Sequence, residues 1–136
     1  MTTEKIMLTL ADAKKIAQAA EQEALVNQWP VVIAILDDCG HLLYLQRLYN
    51  TQFGSIQVAI EKARAAIAFR RPTKVLEDNI NQGHLRYLNL PGALPIEGGL
   101  PIVINGQFVG AIGVSGVRSN QDAQIAQAGI TAFIQD

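Results

Sequence analysis

Residues able to carry chemistry lie at a few separate places in this 136-residue chain. Cys39 and His41 stand two apart within "DDCGH", and His84 stands alone ahead of "LRYLNLPG". Imidazole titrates near neutral pH and ligates metals, so either histidine could act as a base or a ligand. One cysteine and two histidines are too few for a structural zinc site, which collects three or four such donors. A single histidine does suffice as an axial haem ligand. "RRPT", Arg70 to Thr73, places two cations and a hydroxyl at a helix start. It would grip a carboxylate or a propionate, or else simply begin the helix. Arg118, close to the start of a further helix, offers a second anion site or a solvated arginine. Tyr44, Tyr49 and Tyr87 would line a flat apolar pocket or serve as amphipathic packing residues.

The glycine-rich stretch "EGGLPIVINGQFVGAIGVSG", Glu97 to Gly116, admits three readings. A dinucleotide loop requires G-x-G-x-x-G between a strand and a helix, with an acidic residue about 20 positions on. Gly110, Gly113 and Gly116 are instead spaced G-x-x-G-x-x-G, and no Gly-Lys-Ser/Thr phosphate loop occurs. A nucleophile elbow around Ser115 requires a glycine where Val117 stands. Ser115 is thus expected to shape the turn into the last helix. The third reading is a hairpin and pocket wall: Gly98 and Gly99 enter it, Asn105-Gly106 turn it, and the later glycines permit close backbone approach.

Composition narrows the classes. A net charge of -1 argues against a nucleic-acid footprint. No apolar run approaches the roughly 20 residues that span a bilayer. The N-terminus lacks the apolar core of a secretory leader, and the lone cysteine precludes an intramolecular disulfide; together these predict a cytoplasmic protein. With 49% apolar and 17% charged residues, the chain reads as one globular domain over 1–136.

Elements follow from periodicity. Leu10, Ala13, Ala17, Ala20 and Ala24 mark a first helix, with Thr9 and Asp12 as its capping box. "VVIAIL" after Pro30 is apolar on both faces, the pattern of a covered strand, and "HLLYLQR" returns beside it. Ile56, Ile60, Ala63 and Ile67 mark a second helix that Pro72 ends, with a short third helix following. Residues 82–94 show no clear period and Pro91-Gly92 signals a loop, with an additional strand there left open. "LPIVI" and "QFVGAIGV" flank the Asn-Gly turn. Ser119 and Asp122 would cap a last helix with Ala123, Ala126, Ile130 and Phe133 on its stripe. The order predicts an α+β antiparallel sheet with packed helices rather than a parallel nucleotide fold.

"KARAAIAFRRPT", the Gly-Gly-x-Pro-Ile element, "GAIGVSG" and "QDAQIAQAG" together resemble the GlcG/HbpS-like family over almost the whole chain. That family includes haem-binding and haem-degrading proteins and the C-terminal domain of the corrinoid adenosyltransferase PduO. The resemblance implies a profilin- or PAS-like five-stranded antiparallel sheet with helices on both faces, and a homo-oligomer, dimeric or larger. It implies a small-molecule ligand: haem, another tetrapyrrole or a related cofactor. It also implies a supporting role beside cobalamin-dependent diol or glycerol metabolism.

The expected ligand-binding set is therefore His84, Arg70, Arg71, Thr73, Gly98, Gly99, Ser115 and Arg118, with His84 or His41 as the axial ligand if haem binds. The competing expectations are an enzyme acting on a small carboxylate held by these arginines and Thr73, and an oligomeric module without catalysis.

Overall fold

The computed structural model describes residues 1–135, in the order α1 (Leu10–Val26), β1 (Val32–Asp37), β2 (Leu42–Arg47), α2 (Gly54–Phe69), α3 (Thr73–Asn81), a 3₁₀ turn (Leu85–Asn89), β3 (Gly99–Ile104), β4 (Gln107–Ser115) and α4 (Ser119–Gln135). The strands form one antiparallel sheet in the order β2-β1-β4-β3. The α+β antiparallel expectation holds, but the described sheet has four strands rather than five. Residues 82–94 hold the 3₁₀ turn and a loop, with no further strand among the described residues.

The central strands explain their own composition. Along β1, Ile33 and Ile35 face α1 and α4, while Val32, Ala34 and Leu36 face α2. A strand covered on both sides has no solvent face to make polar, so its sequence runs apolar without alternation. Two helices cover one face and α2 the other.

Small residues set the spacing. A Cβ on Gly113 of β4 would run into the Ala59 carbonyl and come within 2.7 Å of the Ala63 amide, both on α2. On the opposite layer Gly129 of α4 meets the Ile16 carbonyl of α1. The alanines of α1 (Ala13, Ala17, Ala20, Ala24) are buried as expected, joined by Ile16, whereas Leu10 is exposed. Thr9 and Asp12 form the capping box: the Asp12 N–H donates to Thr9 Oγ1 at 3.1 Å, and the Thr9 N–H donates to Asp12 Oδ2 at 2.9 Å. The Asn105-Gly106 turn has φ of 50° and 76°, the left-handed pair that a two-residue hairpin requires.

Candidate functional site

At its C-terminus α2 turns sharply. Arg70 caps it in a left-handed conformation, with φ 54°. Such a backbone costs a non-glycine residue about 1–2 kcal/mol. Its guanidinium lies 5.2 Å from the Phe108 ring centroid, a contact that offsets part of that cost. The kink redirects the chain so that Arg71 leaves the helix, and the Arg71 Nε–H donates to the Phe69 carbonyl at 2.9 Å. Pro72, extended with φ −58° and ψ 141°, sits at the N-cap of α3.

The 3₁₀ turn after α3 sorts its own side chains. With three residues per turn, positions i and i+3 eclipse one another. Tyr87 and Leu90 therefore share one side and face inward, where with Phe69, Arg71, Leu76 and Arg86 they line a cleft of about 320 Å³. Leu85 and Leu88 share the other side and stand 61% and 60% exposed. His84 heads the turn, also exposed: its N–H donates to the Asn79 carbonyl at 2.9 Å and its carbonyl accepts from the Tyr87 N–H. One corner thus has an outer strip of exposed Leu85 and Leu88, an exposed His84 at the start of the turn, and a cationic inner cleft.

The remaining expected residues are placed elsewhere. Thr73 is fully buried: its Oγ1 accepts the Gly99 N–H at 2.9 Å, tying the start of α3 to β3. Gly98 and Gly99 wrap Lys62; a Cβ on Gly98 would lie 2.7 Å from Lys62 Nζ, and one on Gly99 would strike the Lys62 carbonyl. They cradle a buried cation and do not line the cleft. Ser115 is buried where β4 pairs with Val32. Arg118 is exposed ahead of α4 and does not line the corner cleft. His41 belongs to the β1–β2 turn, where its N–H and that of Cys39 both donate to Asp37 Oδ1 at 2.9 Å. Asp38 beside them is ion-paired with Lys5 at 2.7 Å. Of the expected set, Arg71 lines the corner cleft, Arg70 precedes it in the chain, and His84 heads the 3₁₀ turn whose Arg86 and Tyr87 also line the cleft.

Two functional groups escaped sequence reading. Arg86 lies in the stretch without a clear period. Lys62 and Asp122 form a buried ion pair, each 2% exposed, with Nζ to Oδ2 at 3.1 Å. Lys62 Nζ also donates to the Val114 carbonyl at 2.9 Å, and Asp122 Oδ1 accepts the Val117 N–H at 3.1 Å. Asp122 is therefore not the partner of Ser119 in a side-chain cap; its carboxylate turns inward. Burial pushes the Asp122 carboxyl above its ordinary value, against the opposing pull of the Lys62 charge and the Val117 N–H. The pair joins α2, β4 and α4. The signal was a lysine set among Ala59, Ala63 and Ala66 on the sheet-facing side of α2.

The corner's donor set fits a tetrapyrrole. An exposed imidazole can ligate iron, exposed leucines can cover a porphyrin face, and guanidinium groups can pair with propionates.

A small α+β domain with an open, arginine-lined corner is the class that fold and geometry define. The chain belongs to the HbpS-like family, described as haem degrading protein HbpS-like, which residues 8–131 match. It is similar to the GlcG protein of Escherichia coli K12, 42% identical over 111 residues, covering 82% of this chain and 83% of that protein. The crystal structure of a double mutant of Streptomyces reticuli HbpS superposes with a TM-score of 0.87 at 32% identity, covering 96% of this chain and 89% of the other. The crystal structure of a PduOC–haem complex superposes with a TM-score of 0.85 at 29% identity, covering 93% and 95%. No helix among the described residues is long and apolar enough to cross a membrane.

Proposed function

We propose that this domain binds haem or a related tetrapyrrole at the corner between α3 and the 3₁₀ turn. The observation that carries the proposal is the outer strip, where exposed His84 stands beside exposed Leu85 and Leu88. Large apolar side chains grouped on a surface mark an interaction site. Here an imidazole heads the group and Arg86 lies within it. When bound, haem would supply an iron open to axial ligation. The chain's own contributions would be an imidazole from His84, apolar cover from Leu85 and Leu88, and charge pairing from Arg86 and Arg71. His41 suits the role less, because its turn carries Asp37 and Asp38, which would repel propionates. Family membership and the haem-bound relative support the reading.

Haemin titration followed in the Soret band tests it. Specific binding saturates at a fixed ratio per chain, and His84→Ala shifts the band and weakens affinity while His41→Ala changes little. A titration that never saturates, or one indifferent to both substitutions, overturns histidine-ligated binding.

Self-association and a cytoplasmic setting beside cobalamin-dependent diol or glycerol enzymes belong to the same proposal. Tyr49, 97% exposed, with exposed Leu25, Val26 and Phe53 supplies apolar surface for a homodimer or larger assembly. Light scattering at micromolar concentration should return more than the mass of one chain; a monomer mass would contradict it.

A further inference from the structure

The inner side of the corner has a different chemistry from its outer strip. Phe69, Leu76, Tyr87 and Leu90 make the cleft apolar, and among the described residues the only charged groups lining it are Arg71 and Arg86. Its volume of about 320 Å³ is at the small end for ligand sites, suited to a single-ring acid and too small to enclose a porphyrin. Bonding of its Nε–H to the Phe69 carbonyl orients the Arg71 guanidinium and leaves its terminal NH₂ groups without a protein acceptor among the described residues. Arg86 sits with its guanidinium 5.2 Å from the Tyr87 centroid and forms no ion pair among the described residues. Two cations sharing one apolar cleft repel each other, and an anion placed between them reverses that energy. Each guanidinium presents a fork that matches a carboxylate.

The larger cleft, about 520 Å³ around Trp29, Leu48 and Tyr49, makes the contrast. Among the described residues its one charged lining group is Glu21, which disfavours an acid. Charge therefore separates the two clefts where apolar character does not.

The geometry points to the α3 cleft as a binding site for a small carboxylate with a flat or branched apolar body. Arg71 and Arg86 hold the carboxylate, and Tyr87, Phe69 and Leu76 enclose the body. The cleft stands on its own geometry rather than on haem binding, although Arg71 and Arg86 are also the charges offered to haem.

The test uses 4-fluorobenzoate, followed by fluorine NMR, with uncharged 4-fluorobenzamide as its isostere. The acid should bind saturably with one site per chain. Arg71→Gln and Arg86→Gln should each weaken it on the order of tenfold or more, the scale of a lost charge-assisted hydrogen bond. The amide should bind weaker than the acid by a similar factor. Both arginines are exposed, so unchanged thermal midpoints of the variants will show that the fold is intact. Tyr49→Ser, outside the cleft, should leave acid binding unaltered. Equal binding of acid and amide, indifference to both arginine substitutions, absence of saturable binding, or loss through Tyr49→Ser would each overturn the assignment. Haemin plays no part in this measurement, so failure of the tetrapyrrole reading would leave it standing.

Discussion

Replacing Lys62 by methionine keeps the aliphatic stem and removes the charge. In the wild-type chain Asp122 holds Lys62 Nζ at 3.1 Å and the Val117 N–H at 3.1 Å; in the variant only backbone donors remain. Stranding one member of a buried pair typically costs about 3–5 kcal/mol. The 2% exposure of both residues places this pair in that class. The double variant Lys62→Met/Asp122→Leu should recover most of the loss, because no uncompensated charge is left. The effect should also depend on pH. The folded-state pKa of Asp122 is raised above the ordinary 3.8, first by burial, so the folded chain holds this proton more tightly than the unfolded chain. That contribution is fully present below the unfolded pKa and is lost as pH rises through the folded pKa. Removing Lys62 removes the largest opposing influence and raises the pKa further. The penalty of Lys62→Met should therefore be largest near neutral pH and shrink as the solution is acidified. Urea denaturation at pH 7.5 and pH 5, at one fixed protein concentration, measures both quantities. A loss below about 1 kcal/mol at neutral pH, with no change on acidification, would refute the reasoning.

Two further outcomes follow from the backbone. Gly113→Ala drives a methyl into the α2 backbone at Ala59 and Ala63, so α2 must lift from the sheet. It should cost about 1–3 kcal/mol by denaturant melt, and an unchanged midpoint would mean that the helix is not seated there. Gly106→Val forces a β-branched residue to φ 76° in open space. It should cost about 1–3 kcal/mol through backbone strain alone. An unaltered midpoint would contradict the hairpin geometry.

Where the sequence was informative, the determinants were local. The Thr9–Asp12 box, the Asn105-Gly106 turn and the unbroken apolar run of β1 each rest on contacts within a few residues or on one period. The stretch 82–94 was opaque because its regular part is a five-residue 3₁₀ turn, too short for a period of three to register. The ion pair was opaque because its members lie 60 residues apart and meet only when α4 and α2 seat on opposite faces of the sheet at β4. The same distance effect hides what the glycines pack against. The close approach that Gly98 and Gly99 permit is that of the buried Lys62. The link of Thr73 to Gly99 likewise spans 26 residues and leaves no local signal. Arg71 was legible from "RRPT", whereas its companion Arg86 became visible only once the turn folded back over α3.

The tetrapyrrole site is tested most directly by locating the ligand on the surface. Haemin added to nitrogen-15-labelled protein broadens nearby amide signals through its paramagnetic iron. At one equivalent, the amides from His84 to Leu88 and that of Arg71 should broaden first, and His84→Ala should weaken the effect. Broadening centred instead on Trp29, Leu48 and Tyr49, or spread evenly over the exposed apolar surface, would contradict the assignment of haem to this corner.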